Sequence, residues 1–251
     1  MPQICAVILA GGEGKRMGSD KPKTLSEVSG KPMLQWIIDS VRGAGIRRIC
    51  VVTGSKHEYI DKYIDSLPYK ISTAYQSQRL GTGHAVMTAR EFIAANGCDG
   101  GDVLILGGDA PFIGADTITG ALKFHRENGN AVTVISSLID EPFGYGRIIR
   151  KDGRLTGIIE EKALLPEQKS ICEVNSGAYC FNGDALLSVL DKIQTNSITG
   201  EYYLTDAVEL LIESGKRADA YDSEDPDVIL GANDPEQLRE LNDIAERRFK
   251  R

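Results

Sequence analysis

Arg16, Lys21 and Lys23 follow the glycines Gly11, Gly12 and Gly14 in the stretch AVILAGGEGKRMGSDKPK, with Lys15 beside them. Glycines let backbone N–H groups approach a ligand closely, and such loops commonly cradle phosphates. Amide donors joined to side-chain cations suit a polyphosphate. Two familiar phosphate loops do not fit. A P-loop requires G-x-x-x-x-G-K-[ST], but Arg16 follows Gly14-Lys15 and the position five before Gly14 is Leu9. A dinucleotide fingerprint requires G-x-G-x-x-G, but Gly12-Glu13-Gly14 runs on to Met17 and the next glycine is Gly18. Pro22 argues against a helix opening straight from the glycines, because the residue before proline is pushed towards extended conformations. The pattern that remains is L-A-G-G-x-G-x-R-M-x-x-x-x-P-K.

Further along, QSQRLGTGHA spans Gln76 to Ala85. Gln76 offers an amide donor and acceptor suited to reading a base edge, and Gly81 and Thr82 can bring backbone close to a ligand. His84 reads as a structural residue in a first helical turn. GGDAP then carries Asp109, a carboxylate suited to Mg2+, a hard cation that favours oxygen ligands and phosphates. Taken alone, Asp109 also reads as a turn cap before Pro111. FGYGR at Phe143 to Arg147, Glu160-Glu161-Lys162 and Asn175-Ser176-Gly177 read by themselves as polar strand ends. Asn233 precedes Asp234-Pro235, which has the form of an N-cap and first-turn proline.

Together these segments resemble the sugar-1-phosphate nucleotidylyltransferases, and within them the uridyltransferase domain of the N-acetylglucosamine-1-phosphate uridyltransferases. The likeness runs from Ala6 to about Ile244, with L-G-T-G-H-A, G-D-x-P, G-Y-G-R-I, I-x-E-x-K, N-x-G and GEYYLTD in the family's order. It implies transfer of a uridylyl group from UTP to N-acetylglucosamine-1-phosphate, giving pyrophosphate and UDP-N-acetylglucosamine, a cell-wall precursor, with Mg2+ as cofactor. On that resemblance Arg16 and Lys23 are the catalytic cations. Leu9, Ala10, Gly11 and Gly12 bind the nucleotide with Gln76, Gly81 and Thr82. Gly108, Gly146, Glu160, Asn175 and Asn233 serve the sugar, Asp109 and Asn233 hold the metal, and Lys162 supports the pyrophosphate side. GEYYLTD is assigned mainly to structure. Two alternatives stand: the same chemistry on another pair, such as glucose-1-phosphate with UTP or dTTP, and a non-catalytic nucleotide-sugar-binding regulatory protein. An NAD-linked dehydrogenase is disfavoured by the failed fingerprint.

The chain departs from the family at Gly11 and Gly107, where other residues are common, and at Phe112, which replaces the usual leucine. It also stops before any hexapeptide repeat of the kind that builds the acetyltransferase β-helix of bifunctional members. Acetyl transfer and the trimer contact of that domain are therefore not expected.

These residues need elements to position them. Ala6–Leu9, Arg48–Thr53, Lys70–Tyr75 and Val103–Leu106 read as strands, the first and last apolar throughout as strands buried on both faces are. Between them, Met33, Leu34, Ile37, Ile38 and Val41 recur at helical spacing, a polar helix is expected around Glu58–Leu67, and Ile118–His125 forms another. Alternating strands and helices predict an α/β fold, a Rossmann-like, mostly parallel sheet with helices on both faces. From Asn130 the strand-like stretches Ala131–Ser136, Arg147–Arg150, Leu155–Ile159 and Glu173–Phe181 come with little helix between them, predicting an added mixed sheet over the first. The expected organisation is a single domain: a nucleotide-binding half (1–129), a sugar-binding half (130–233) and a C-terminal helix (234–251).

The chain has 251 residues and is 41% hydrophobic, enough for a substantial core. Its net charge of −7 arises after residue 199, where seven Lys and Arg face fourteen Asp and Glu. No basic stripe with interleaved aromatics appears, which disfavours nucleic acid as a partner. No apolar run approaches a membrane span and the N-terminus lacks a signal-peptide pattern, so a cytoplasmic protein with small-molecule partners is expected, as monomer or dimer. Cys5, Cys50, Cys98, Cys172 and Cys180 are widely spaced and without a C-x-x-C, which predicts buried thiols.

Overall fold

The computed structural model describes residues 3–97 and 100–249. Its centre is β1 (Ile4–Leu9), flanked in parallel by β4 (Arg48–Thr53) and β6 (Asp102–Gly107). Alternation along these strands explains their unbroken apolar runs. Cys5 and Val7, Cys50 and Val52, Val103 and Ile105 bury one way; Ala6 and Ile8, Ile49 and Val51, Leu104 and Leu106 bury the other. Each face needs a helical cover. On one lie α1 (Met33–Gly43), α2 (His57–Asp65) and α5 (Ala115–Glu127). On the other lie α3 (Thr82–Thr88), α4 (Arg90–Asn96), α6 (Gly183–Leu190) and α7 (Thr205–Glu213).

The remaining strands are β2 (Glu27–Val28), β3 (Lys31–Pro32), β5 (Ser72–Tyr75), β7 (Val132–Leu138), β8 (Arg147–Lys151), β9 (Arg154–Ile159), β10 (Glu173–Asn182) and β11 (Ala218–Asp222). The large sheet runs β11-β7-β10-β6-β1-β4-β5, with β8 and β9 as a ribbon rising from β10. This is the expected mostly parallel sheet between helices, with one correction. The second half does not lay a sheet over the first. β10 pairs antiparallel with both β6 and β7, so one sheet continues; Tyr179, Cys180 and Phe181 are buried on alternating faces and can only be satisfied inside it. Between β7 and β10 the described residues form only the 3-10 turns Glu161–Ala163 and Pro166–Gln168, as expected, and helix resumes after β10. Asn182 caps α6 by accepting from the Ala185 amide at 3.0 Å, and Ala185, Leu186, Val189 and Leu190 carry a helical period into the core.

The thiol expectation holds for Cys5, Cys50 and Cys180; burial pushes the Cys50 thiol up to about 12. Cys172 is exposed, because it lies in the turn ahead of β10. Cys98 lies outside the described residues. Among those residues no helix is long and apolar enough to cross a membrane.

A buried histidine gives the fold a pH dependence. His125 is 2% exposed. Its Nδ1 lies 2.9 Å from Thr133 Oγ1, which also accepts from Asn130. Burial lowers the His125 pKa below 6.5, against the pull of Asp102. The unfolded chain therefore takes up a proton that the folded chain refuses. This contribution is fully present above about 6.5 and is lost as pH falls towards the folded pKa. The melting temperature should drop between pH 7.5 and 5.5, and His125→Gln should drop less over that interval. Parallel declines in the two proteins would sink the assignment.

Candidate active site

The site lies where strand order reverses about β1, since β4 extends the sheet to one side and β6 to the other. Ligands in open α/β sheets bind beyond the carboxyl ends of strands at such a point. Register does the positioning: Leu9 pairs with Gly107, so the glycine loop leaving β1 and the Asp109 turn leaving β6 begin side by side. A further strand end joins them, because the Gln76 amide donates to Thr53 O at 2.9 Å.

Gly14 shows why the first loop has its composition. Its φ is +62°, and a Cβ there would come within 2.8 Å of the Lys23 Cβ. The loop folds back over Lys23, whose Nζ donates to Asn233 Oδ1 at 2.8 Å and also pairs with Asp109 Oδ2. Residues 86 and 210 positions away thus converge on one ammonium. A carboxylate and an amide oxygen aimed at a single positive charge are a suitable donor set for a hard divalent cation completed by phosphate and water. Among the described residues no cluster of three or more His, Cys, Asp or Glu offers another metal position.

Two adjoining cavities surround this point. The larger, about 660 Å³, has Leu9, Gly11, Gly12 and Lys23 along its floor, with Asp109 and Asn233. Gln76, Gly81 and Thr82 form one side of it. The smaller, about 310 Å³, is bounded by Gly12 to Arg16 with Lys23, Arg79 and Asn233. Arg16 is exposed at its rim on a 3-10 turn and has no ion-pair partner among the described residues.

Gln76 is 4% exposed, and its NH2 group is already engaged by Gly81 O at 3.2 Å and His84 Nδ1 at 3.0 Å. Its Oε1, beside Gly11, remains as an acceptor. Gly81 has a φ of +96°, and a Cβ there would lie 2.5 Å from Tyr202 O. That close approach belongs to a backbone seam: Tyr202 N donates to Leu80 O, Gly83 N to Tyr202 O, and Leu204 N to Thr82 Oγ1. The seam brings Glu201 and Tyr203 into the cleft wall. GEYYLTD thus walls the cleft as well as shaping the fold, and Arg79 lines both cavities; neither segment carries a local signal of where its partner lies.

Other expected residues sit behind the wall. Ala10 and Gly108 are buried and line neither cavity; the Gly108 amide donates to Leu9 O, tying the two loops together. Gly146, Glu160 and Asn175 form a group of their own: the Asn175 amide donates to Gly146 O at 2.9 Å, and Glu160 Oε2 lies 3.5 Å from where a Gly146 Cβ would be. They meet the cleft through their neighbours Gly144, Tyr145, Ser176 and Gly177. Buried Arg147 pins this loop by pairing with Glu161 at 2.8 Å. The Glu160 carboxyl feels Tyr179 and Asp206; loss of water and then the Asp206 charge raise its pKa. Lys162 is exposed and lines neither cavity. Phe143, 84% exposed, stands at the cleft edge and was not anticipated.

A family model described as nucleotidyl transferase matches residues 5–228. Over 250 residues the chain is 42% identical to the bifunctional protein GlmU of Acetivibrio thermocellus, covering 99% of this chain and 53% of that protein. Over 243 residues it is 43% identical to the bifunctional protein GlmU of Fervidobacterium nodosum, covering 97% and 51%. The chain thus spans about half the length of the curated relatives it matches. Among solved structures, an apo UDP-glucose pyrophosphorylase superposes with a TM-score of 0.79 at 18% identity over 98% of this chain and 99% of that one. A Bacillus anthracis protein described as a glucose-1-phosphate thymidylyltransferase gives 0.78 at 18%, over 96% and 95%. The two structures share this fold.

Proposed function

Because the chain belongs to the nucleotidyl transferase family, we propose that it transfers a uridylyl group from UTP to N-acetylglucosamine-1-phosphate, forming UDP-N-acetylglucosamine and pyrophosphate in the cytoplasm with Mg2+. The observation that carries this reading is the meeting of Asp109, Asn233 and Lys23 beside the glycine loop. Likeness to the proteins called bifunctional GlmU over nearly the whole chain supports the substrate pair. Residues 1–129 take the nucleotide and 130–233 the sugar.

A phosphate monoester has a second pKa of about 6, so the sugar phosphate is already ionised at neutral pH. Its oxygen attacks the α-phosphorus of UTP as the bond from that phosphorus to the β-bridging oxygen breaks, and pyrophosphate leaves. No general base is needed, which agrees with His84 being occupied by Gln76. Catalysis then rests on positioning and charge. Gln76 Oε1 accepts from the N3–H of uracil, a donor that cytosine lacks. Lys23 binds phosphate in the transition state, and Arg16 neutralises the departing pyrophosphate. Asp109 and Asn233 are the residues that would hold Mg2+, which supplies positive charge beside the phosphates when bound.

Pyrophosphate release with UTP and N-acetylglucosamine-1-phosphate, run beside glucose-1-phosphate and the other triphosphates, tests the reading. Turnover confined to the first pair supports it. Turnover with another pair replaces the substrate, and silence across the panel removes the activity.

Glu160→Gln separates site from scaffold. As a hydrogen-bonding partner of sugar hydroxyls, the charged Glu160 is worth about ten- to a hundred-fold in the KM for sugar phosphate, with the KM for UTP unmoved. Its raised pKa has the opposite effect on folding: the favourable contribution exists below the ordinary value of about 4.5 and is lost as pH rises through the folded pKa. The variant should therefore melt higher than the parent at pH 7.5 while binding sugar phosphate worse. Equal changes in the two KM values would refute the sugar-side role.

A further inference from the structure

The mechanism above leaves Arg79 unused. It belongs to the Gln76–Ala85 loop, three residues past Gln76, yet it lines both the large cleft and the smaller cavity by the glycine loop. Its Nη2 lies 2.9 Å from Glu13 Oε1, and Lys15 Nζ lies 3.2 Å from Glu13 Oε2. The smaller cavity is thus lined by four cations, Lys15, Arg16, Lys23 and Arg79, of which Lys15 and Arg79 pair with the Glu13 carboxylate. Lys15 and Arg79 hold that carboxyl below its ordinary pKa, so it stays charged at neutral pH. Arg79 is 42% exposed and Glu13 22%, so the pair is wet enough to open cheaply.

We propose that Arg79 is a polyphosphate-binding residue that selects the triphosphate, and that Glu13 is an internal stand-in for the terminal phosphate, holding the guanidinium until that phosphate replaces it. A guanidinium presents the same planar fork to a carboxylate and to a phosphate, and a phosphate carrying about two negative charges is the stronger partner. The loop that reads the base would then also count phosphates. Gln76 reaches the uracil, and Arg79 reaches the far end of the same ligand. This rests on the uridylyltransferase reading for its ligand, but the chemistry needs only a polyphosphate.

The exchange makes two predictions of opposite sign. Arg79→Gln should weaken UTP binding about ten-fold or more, pyrophosphate similarly, and UMP less than about two-fold. Glu13→Gln should tighten UTP, because no carboxylate competes for Arg79. In the Arg79→Gln background that gain should disappear, since the competition it relieves is gone. Calorimetry of UTP, UMP and pyrophosphate on the four proteins reads all of this. Arg79→Gln leaving UTP unchanged, or weakening UMP as much as UTP, overturns the proposal. So does a Glu13→Gln gain that survives in the double variant, which would mark a general charge effect. Absence of turnover with N-acetylglucosamine-1-phosphate would remove the substrate reading and leave the pyrophosphate result standing. A parent protein that binds neither UTP nor pyrophosphate overturns both.

Discussion

Lys23→Ala should lower kcat by about 10²–10³-fold, the usual loss when one preorganised charge-stabilising donor is removed from a transition state. KM for UTP should rise much less, since on the proposed mechanism Lys23 binds phosphate chiefly in the transition state. The same substitution should make the free protein bind Mg2+ more tightly. In the ligand-free state the Lys23 ammonium occupies the point on which Asp109 Oδ2 and Asn233 Oδ1 converge, and it is only 15% exposed there. A metal ion must displace it; with alanine nothing has to move. Steady-state kinetics and metal titration of the free protein together check the two halves. An unchanged kcat/KM would sink the catalytic role, and an unchanged or weaker metal affinity would sink the competition.

Asp109→Asn should be as damaging to turnover, on the order of 10³-fold, corresponding to about 4 kcal/mol of lost transition-state stabilisation. Its effect on metal affinity must run the other way. One anionic oxygen of the donor set is lost, and Lys23 is left with Asn233 as its bonded partner. Metal affinity should fall about ten-fold or more, and raising Mg2+ should recover part of the rate. The fold should survive, because Asp109 is 25% exposed on its side chain and the pair is open to water on one side. If Mg2+ titration of the variant matched the parent, Asp109 would not be a ligand.

The parts of the site that were legible in the sequence are those whose chemistry and position share one segment. The apolar run Ala6–Leu9 and the glycines that end it announce a strand and a ligand edge together, and Val103–Leu106 does the same for Asp109. Asn233 could be matched only through the family resemblance, because the reason for its presence is Lys23, 210 residues earlier. Glu201 and Tyr203 were missed because their approach depends on Tyr202 pairing with Leu80 and Gly83, a contact between main-chain atoms that leaves no mark on residue type. The continuation of the sheet was obscured similarly. A strand buried on both faces, such as Cys180–Phe181, looks alike whether it joins an existing sheet or begins a new one. β11 was illegible for the opposite reason: ADAYD interleaves acids with small residues, and only its pairing with β7 makes it a strand.

The Lys23–Asn233 contact also sets a timetable. At about 5–20 residues per second, the interval between synthesis of Asp109 and of Asn233 is on the order of ten seconds. During it the nascent chain carries the glycine loop, Lys23 and Asp109, but not the oxygen that completes the set. α8 (Pro235–Phe249), where Asn242 Oδ1 accepts from Ser29 N and Asn242 Nδ2 donates to Glu27 O, is made after that and closes against the β2–β3 hairpin, near the beginning of the chain. On the proposed function, a growing polypeptide acquires the sheet and the glycine loop well before both residues that would hold Mg2+ are present, so ribosome-bound chains should be silent towards UTP turnover until the segment carrying Asn233 has emerged.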